Sequence, residues 1–296
     1  MNKQLYNKKG KNDLIKDLDN ENFDRITISF YKYTNINDPY SLRDDIYKKL
    51  YSLNVLGRIY VAFEGINAQI SIPDYNKNEI IKYINSIEGL NGVIIKKAIV
   101  DGESFYKLKI KIKKEIVAYN INNNEYDMNL VGKHMEPEDF NKYIDSKDSI
   151  VVDVRNYYEA EVGKFKNAII PNIERSQELL PEIKRLLKEN KNKKILLYCT
   201  GGIRCEKASS YLIKCNFKDV NQLKGGIINY ANVIKKKKMK SKFIGKNFVF
   251  DNRLGENITD DIISKCHICE SKNNTHRNCM NDLCHILFIQ CNKCFD

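Results

Sequence analysis

The stretch Lys194-Ile195-Leu196-Leu197-Tyr198-Cys199-Thr200-Gly201-Gly202-Ile203-Arg204-Cys205-Glu206-Lys207-Ala208 constrains the fold more than any other part of the chain. Its first half is an apolar, aliphatic run of the kind that forms a buried parallel strand. The run ends on Cys199. Two glycines then allow a tight turn whose backbone N–H groups can point inward. Ala208, Tyr211 and Leu212 follow at helical spacing. Cys199 is thereby expected at a strand C-terminus and a helix N-terminus, where a thiolate is stabilised and made reactive. Arg204 adds a positive charge at the end of the turn. A buried core thiol is the ordinary fate of a free cysteine, but a core thiol needs no loop shaped for an anion.

The loop from Cys199 to Arg204, with Thr200, Gly201, Gly202 and Ile203 as its cradle, resembles the active-site loop of rhodanese-like sulfurtransferases. The related dual-specificity phosphatases use a loop one residue longer, so the Cys-x4-Arg spacing suits a persulfide sulfur better than a phosphate. Val151-Val152-Asp153-Val154-Arg155 resembles the first core strand of that domain, and Glu159, Gly163 and Ala168 the segment after it. Val220 and Leu223-Lys224-Gly225-Gly226 resemble its last strand and Gly-Gly turn. An α/β rhodanese-like catalytic domain is expected over 130–237, as a parallel sheet with helices on both faces and its site at the strand C-termini.

The resemblance extends along the chain. Ser29 to Tyr33, Glu64 to Ser71, Tyr198 to Ala208, Gly225 to Ile228 and Phe243 to Asp251 occur in this order. Together they resemble the TrhO (YceA-type) family of rhodanese-like tRNA uridine 5-hydroxylases, over about residues 23–294. The resemblance implies oxygen-dependent formation of 5-hydroxyuridine at the tRNA wobble position, with tRNA as partner and molecular oxygen as co-substrate. Two other classes stay open. A plain sulfurtransferase would carry a persulfide on Cys199, but needs no additional N-terminal domain. A non-catalytic RNA-binding protein would not need both Cys199 and Arg204.

The 296 residues are enough for two domains and a small module, and 42% hydrophobic content permits real cores. No apolar stretch approaches the ~20 residues that span a membrane. Met1 to Asn22 is polar, without the apolar centre of a signal peptide. A cytoplasmic location is expected, which also keeps thiols reduced. The net charge of +12 favours polyanions, although the chain is rich in Lys, Asn and Ile throughout.

Residues 1–22 read as a flexible lead. Over 23–120 the pattern gives a strand at Ile26 to Tyr33, a helix at Ser41 to Leu53, and strands at Gly57 to Phe63 and Ala68 to Ile72. A helix at Glu79 to Ile87 and strands at Val93 to Val100 and Phe105 to Ala118 complete it. That order suggests a ferredoxin-like α+β domain with one extra strand. Lys109, Lys111 and Lys113 alternate with apolar residues and share one strand face, a solvated face or part of an RNA track. Tyr119 to Asn129 reads as an Asn-rich linker. Lys235, Lys236, Lys237 and Lys238 form an exposed run, either simply solvated or in contact with RNA phosphates.

Six of the nine cysteines and three of the four histidines (His267, His276 and His285) fall in the last 31 residues. Cys266-x2-Cys269 and Cys291-x2-Cys294 are two knuckles of the kind that grip tetrahedral zinc. A Cys-rich structural zinc module is expected over 243–296. Cys279 and Cys284 are alternate ligands, and a set of reduced thiols without metal is the competing reading. The family resemblance implies a further Cys-containing basic tail, whereas this sequence ends two residues after Cys294.

Cys199 is expected to be the nucleophile, with its anionic sulfur held by the amides of Thr200 to Arg204 and by the Arg204 side chain. Cys205 reads as the first helical residue, either resolving a sulfur species or facing the core. No His-His-carboxylate iron motif and no dinucleotide fingerprint is present in the sequence, and the source of reducing equivalents is not encoded in any motif.

Overall fold

A computed structural model describes residues 5–100, 102–173, 175–281, 283–284 and 286–295. His285 and residues 1–4 lie outside these described residues. The chain forms two compact units, Met1–Ala118 with Asp251–Arg253, and Tyr119–Phe250 with Leu254–Asp296.

The first unit contains α1 (Lys11–Asp19), β1 (Arg25–Tyr33), α2 (Pro39–Ser52), β2 (Leu56–Ala62) and β3 (Gly65–Pro73). It continues with α3 (Lys77–Ser86), β4 (Lys96–Lys97) and β5 (Leu108–Ile112). The sheet order is β4-β1-β3-β2-β5. The first four strands have the order expected of a ferredoxin-like sheet, and β5 adds itself parallel to β2. Alternation along the strands sends Ile28, Phe30, Ile59, Val61, Ala68 and Ile70 to one face, where they form a core with Ile46, Leu50, Ile80 and Ile84 of the helices. Asp38 caps α2 by accepting from the N–H groups of Tyr40 and Ser41, ahead of Pro39 in the first turn.

One expectation is corrected here. The strands expected at 93–100 and 105–118 shrink to Lys96–Lys97 and Leu108–Ile112. Pairing with β1 ends at Ala98, whose N–H reaches Thr27, and Gly102 then takes φ +151° as the chain turns. The lead expected to be flexible contains α1, whose residues are none of them buried. Leu5 just before it packs against the core and accepts a hydrogen bond from Arg43.

The second unit contains β6 (Lys133–Met135), α4 (Pro137–Ile144), β7 (Ser149–Asp153), α5 (Tyr157–Glu161), β8 (Gly163–Phe165) and α6 (Ser176–Leu186). Next come β9 (Lys194–Tyr198), α7 (Ile203–Lys214), β10 (Asp219–Leu223) and α8 (Gly226–Lys237). The last elements are β11 (Phe243–Asn247), β12 (Glu256–Asn257), β13 (His276–Asn278), β14 (Leu287–Ile289) and α9 (Asn292–Phe295). Its main sheet is parallel, ordered β6-β10-β9-β7, so β9 is central. The apolar residues of β9 are buried, as a parallel strand covered on both faces requires. β11 pairs antiparallel with β8 and with β12. Phe165 of β8 touches Phe140, Tyr198, Tyr230 and Phe243, with ring centroids 4.7–5.3 Å apart. Phe243 of β11 therefore shares a core with the parallel-sheet region.

Tyr119–Asn129, expected to be a linker, is laid against α7. Tyr119 is buried, and the backbone of Asp127 exchanges two 2.7 Å hydrogen bonds with Ser210 Oγ. Among the described residues no helix is long and apolar enough to cross a membrane.

Candidate active site

Cys199 is the first residue after β9 and is fully buried. Gly202 follows with φ +99°, a left-handed conformation that suits glycine, and caps α7. Its N–H donates to Cys199 Sγ at 3.1 Å. Helix α7 starts at Ile203, so Cys205 lies inside its first turn rather than opening it. Burial works against ionisation of Cys199. The Cys205 side chain, the Arg204 charge and the N–H groups of Cys205 and Gly202 outweigh it and bring the thiol to about 6 from an ordinary 9.0. The Cys205 thiol moves well upward, first because it is buried and then because it bonds to Cys199. Of the two sulfurs, Cys199 is the one suited to carry negative charge.

The loop is gripped from its other side by the start of α8. The N–H of Ile227 donates to the Cys199 carbonyl at 3.0 Å, and that of Ile228 to the Thr200 carbonyl at 3.1 Å. Gly226, at φ +66°, makes this approach possible.

Arg204 has side-chain partners of its own. Its guanidinium forms a fork with Glu159, Nη1 to Oε1 at 2.5 Å and Nη2 to Oε2 at 2.9 Å. Nη2 also donates to Thr200 Oγ1 at 3.1 Å. These contacts hold the guanidinium in place, and it acts on Cys199 through its charge. Glu159 is itself fixed by a capping box, in which Oε1 accepts from the N–H of Asn156 at 3.0 Å at the start of α5. Gly201 and Ile203 complete the turn. Tyr119 donates to the Arg204 carbonyl at 3.3 Å, and burial pushes its hydroxyl well above 10.0.

Sequence reasoning placed Tyr119 only in a linker and did not pair Glu159 with Arg204. The Asn156-x-x-Glu159 spacing was a usable signal for the cap, although not for the ion pair. A second buried pair backs the loop. Arg155 bonds Asp153 at 2.7 Å and the Gly163 carbonyl at 2.7 Å, while Tyr198 donates to Asp153 at 2.7 Å. It ties β7, β8 and β9 together behind Cys199.

In the C-terminal segment the sulfurs of Cys266, Cys269, Cys291 and Cys294 all lie within 4.8 Å of one another. Cys269 and Cys291 are 3.6 Å apart. Zinc–thiolate bonds of about 2.3 Å in a tetrahedron place sulfurs about 3.8 Å apart, so this donor set fits a metal of that kind. The N–H of Cys291 donates to Cys266 Sγ at 3.4 Å. Cys279 and Cys284 are not part of this group. Lys235 to Lys238 end α8 in the open, with Lys237 paired to Glu138.

Residues 25–116 match the UPF0176 acylphosphatase like domain, 136–232 the Rhodanese-like domain and 244–296 the Rhodanase C-terminal family. A solved rhodanese-like domain from Anabaena sp. covers 39% of this chain and 80% of its own at 15% identity, with a TM-score of 0.31. A tRNA uridine(34) hydroxylase of Leptospira interrogans is 50% identical over 291 residues, 98% of this chain and 79% of that protein. Another, from Photorhabdus laumondii, is 44% identical over 91% of this chain and 77% of that protein. With that identity over that length, the chain belongs to the tRNA uridine(34) hydroxylase family.

Proposed function

We propose that this chain hydroxylates the wobble uridine of tRNA at C5, with Cys199 as the nucleophile. The observation that carries the reading is the near full-length match to relatives named for that activity. The plain sulfurtransferase reading is not favoured by those names. Hydroxylation replaces C5–H with C5–OH, a two-electron oxidation. With dioxygen as co-substrate, one oxygen atom enters the base. The other leaves as water after an external donor supplies two electrons and two protons.

The geometry supports the following roles for the site residues. The Cys199 thiolate meets the substrate, and the Gly202 N–H stabilises its sulfur. Arg204 supplies positive charge, and Glu159 and Thr200 fix the guanidinium's orientation. Cys266, Cys269, Cys291 and Cys294 would hold a structural zinc ion, which when bound would tie the 266–269 turn to the 291–294 segment. Lys235, Lys236 and Lys238 contact tRNA phosphates. A cytoplasmic location suits nine cysteines that are outside disulfides.

The test is nucleoside mass spectrometry of tRNA from a strain deleted for the gene and complemented with this chain or with Cys199→Ser. Restoration of 5-hydroxyuridine by the wild type alone is expected. Restoration by neither would remove the activity from this chain.

A further inference from the structure

The sheet of the first unit has a second face, turned away from its helices. Two rows cross it. One runs Tyr31, Asn67, Tyr60, Lys111 over β1, β3, β2 and β5. The next runs Lys96, Ser29, Gln69, Arg58, Lys109 over all five strands. Tyr31 and Tyr60 thus stand two strand spacings apart, about 10 Å, and each is partly exposed. Tyr33 lies beside Tyr31 with ring centroids 6.4 Å apart. Lys96 Nζ lies 4.4 Å from the Tyr31 ring centroid, and Lys113 Nζ 5.2 Å from that of Tyr60. The five strands contain seven Lys and Arg residues and no Asp or Glu.

From this face we infer a platform for single-stranded RNA, bases stacking on Tyr31 and Tyr60 and phosphates running along Arg58, Lys109 and Lys111. Rings with neighbouring cations, on strands that carry no carboxylates of their own, suit an extended polynucleotide, because every base has a π-face and every linkage a negative charge. Asn67 and Gln69 between the tyrosines offer amide donors and acceptors to base edges. Small RNA-recognition sheets use aromatic residues in the same way. Lys109 feels the concentration of charge, its ammonium lowered by Lys111, then by burial, Lys107 and Arg58. Asp38, which caps α2, and Asp44 and Asp45 within it share a groove with Lys111 and Lys113 at the β5 edge, and Asp44 is paired with Arg43. The inference rests on the tRNA reading above, since the wobble base lies in an unpaired loop.

The test measures binding of a short uridine-rich single strand, and of an RNA duplex of equal length, to the full chain across a salt series. Tyr31→Leu with Tyr60→Leu should weaken single-strand binding at least about tenfold, given the worth of base–aromatic stacking. Tyr31→Phe with Tyr60→Phe should keep it. Lys109→Gln with Lys111→Gln should flatten the log–log salt slope by about 1.4. Unchanged single-strand affinity in the Leu pair, or equal loss in the Phe pair, would overturn the platform. If the Leu pair does not fold, the lysine pair decides, and an unchanged slope removes the inference. A wild type that hydroxylates tRNA while the Leu pair binds RNA normally loses the platform and keeps the function. The converse pattern keeps the platform and loses the function.

Discussion

A Cβ atom on Gly226 would stand 2.5 Å from the carbonyl oxygen of Cys199. The loop that carries the thiol and the glycine that starts α8 are in backbone contact. Gly226→Ala combines that overlap with a left-handed φ of +66°. It should cost about 2 kcal/mol or more and cut activity at least about tenfold, because α8 must retreat from the loop. Chemical denaturation and tRNA nucleoside analysis check it. An unchanged midpoint with full activity would show that the contact relaxes freely.

The Cys199 thiol is lowered to about 6. Its thiolate is present above that pH and protonates below it, so activity should fall about tenfold per unit on the acid side. Because the folded value lies below the unfolded one, the same group stabilises the fold above its ordinary 9.0, and that contribution is lost as pH falls through about 6. Thiolate ultraviolet absorbance, wild type minus Cys199→Ser, should titrate with a midpoint near 6. A midpoint at the ordinary 9.0 would mean the loop does not favour the anion.

Arg204 and Glu159 form a fork whose carboxylate is fully buried. Arg204→Ala strands that carboxylate and should destabilise by about 3–5 kcal/mol. Arg204→Lys keeps the charge and loses the two parallel bonds, so it should recover part of the stability and little of the activity. Full activity in the Lys variant would reduce Arg204 to a point charge.

Cys266→Ser with Cys269→Ser should lose bound zinc in elemental analysis and expose the segment after β12 to protease. Cys279→Ser with Cys284→Ser should retain the metal, because those thiols lie outside the four-sulfur group. Equal zinc content in both double variants would reject the ligand set.

Replacing Lys235, Lys236 and Lys238 with Ala should weaken tRNA binding and flatten its salt dependence by up to about 0.9 per lost phosphate contact. Lys237 is left in place because it pairs with Glu138. An unchanged salt slope would assign the run to solvent alone.

The Cys199 loop was legible because its signal is local. An aliphatic run, a cysteine and two glycines fix a strand, a turn and a helix start within a few residues. The ferredoxin-like order was legible for the same reason, since alternation and helical spacing mark each element. What stayed hidden was long-range. Glu159 reaches Arg204 across 45 positions, and Tyr119 reaches it across 85. No spacing rule encodes such a pairing. β6 is three residues, Lys-His-Met, too short to show a period. Lys96–Lys97 is a strand only because β1 offers it an edge.

The pairing of β8 with β11 joins Phe165 to a partner, Phe243, that lies 78 positions later in the chain. During synthesis the parallel strands and the Cys199 loop emerge well before Phe243 does. Until then the Phe165 ring has an open flank, and the Gly163 edge that receives Arg155 is unpaired. The scaffold of the Cys199 loop is therefore completed late, by a strand that arrives after Glu159, Cys199 and Arg204. Nascent chains stalled before residue 243 should carry the cysteine loop without a finished scaffold, so competence is gained in one step when β11 emerges rather than gradually before it.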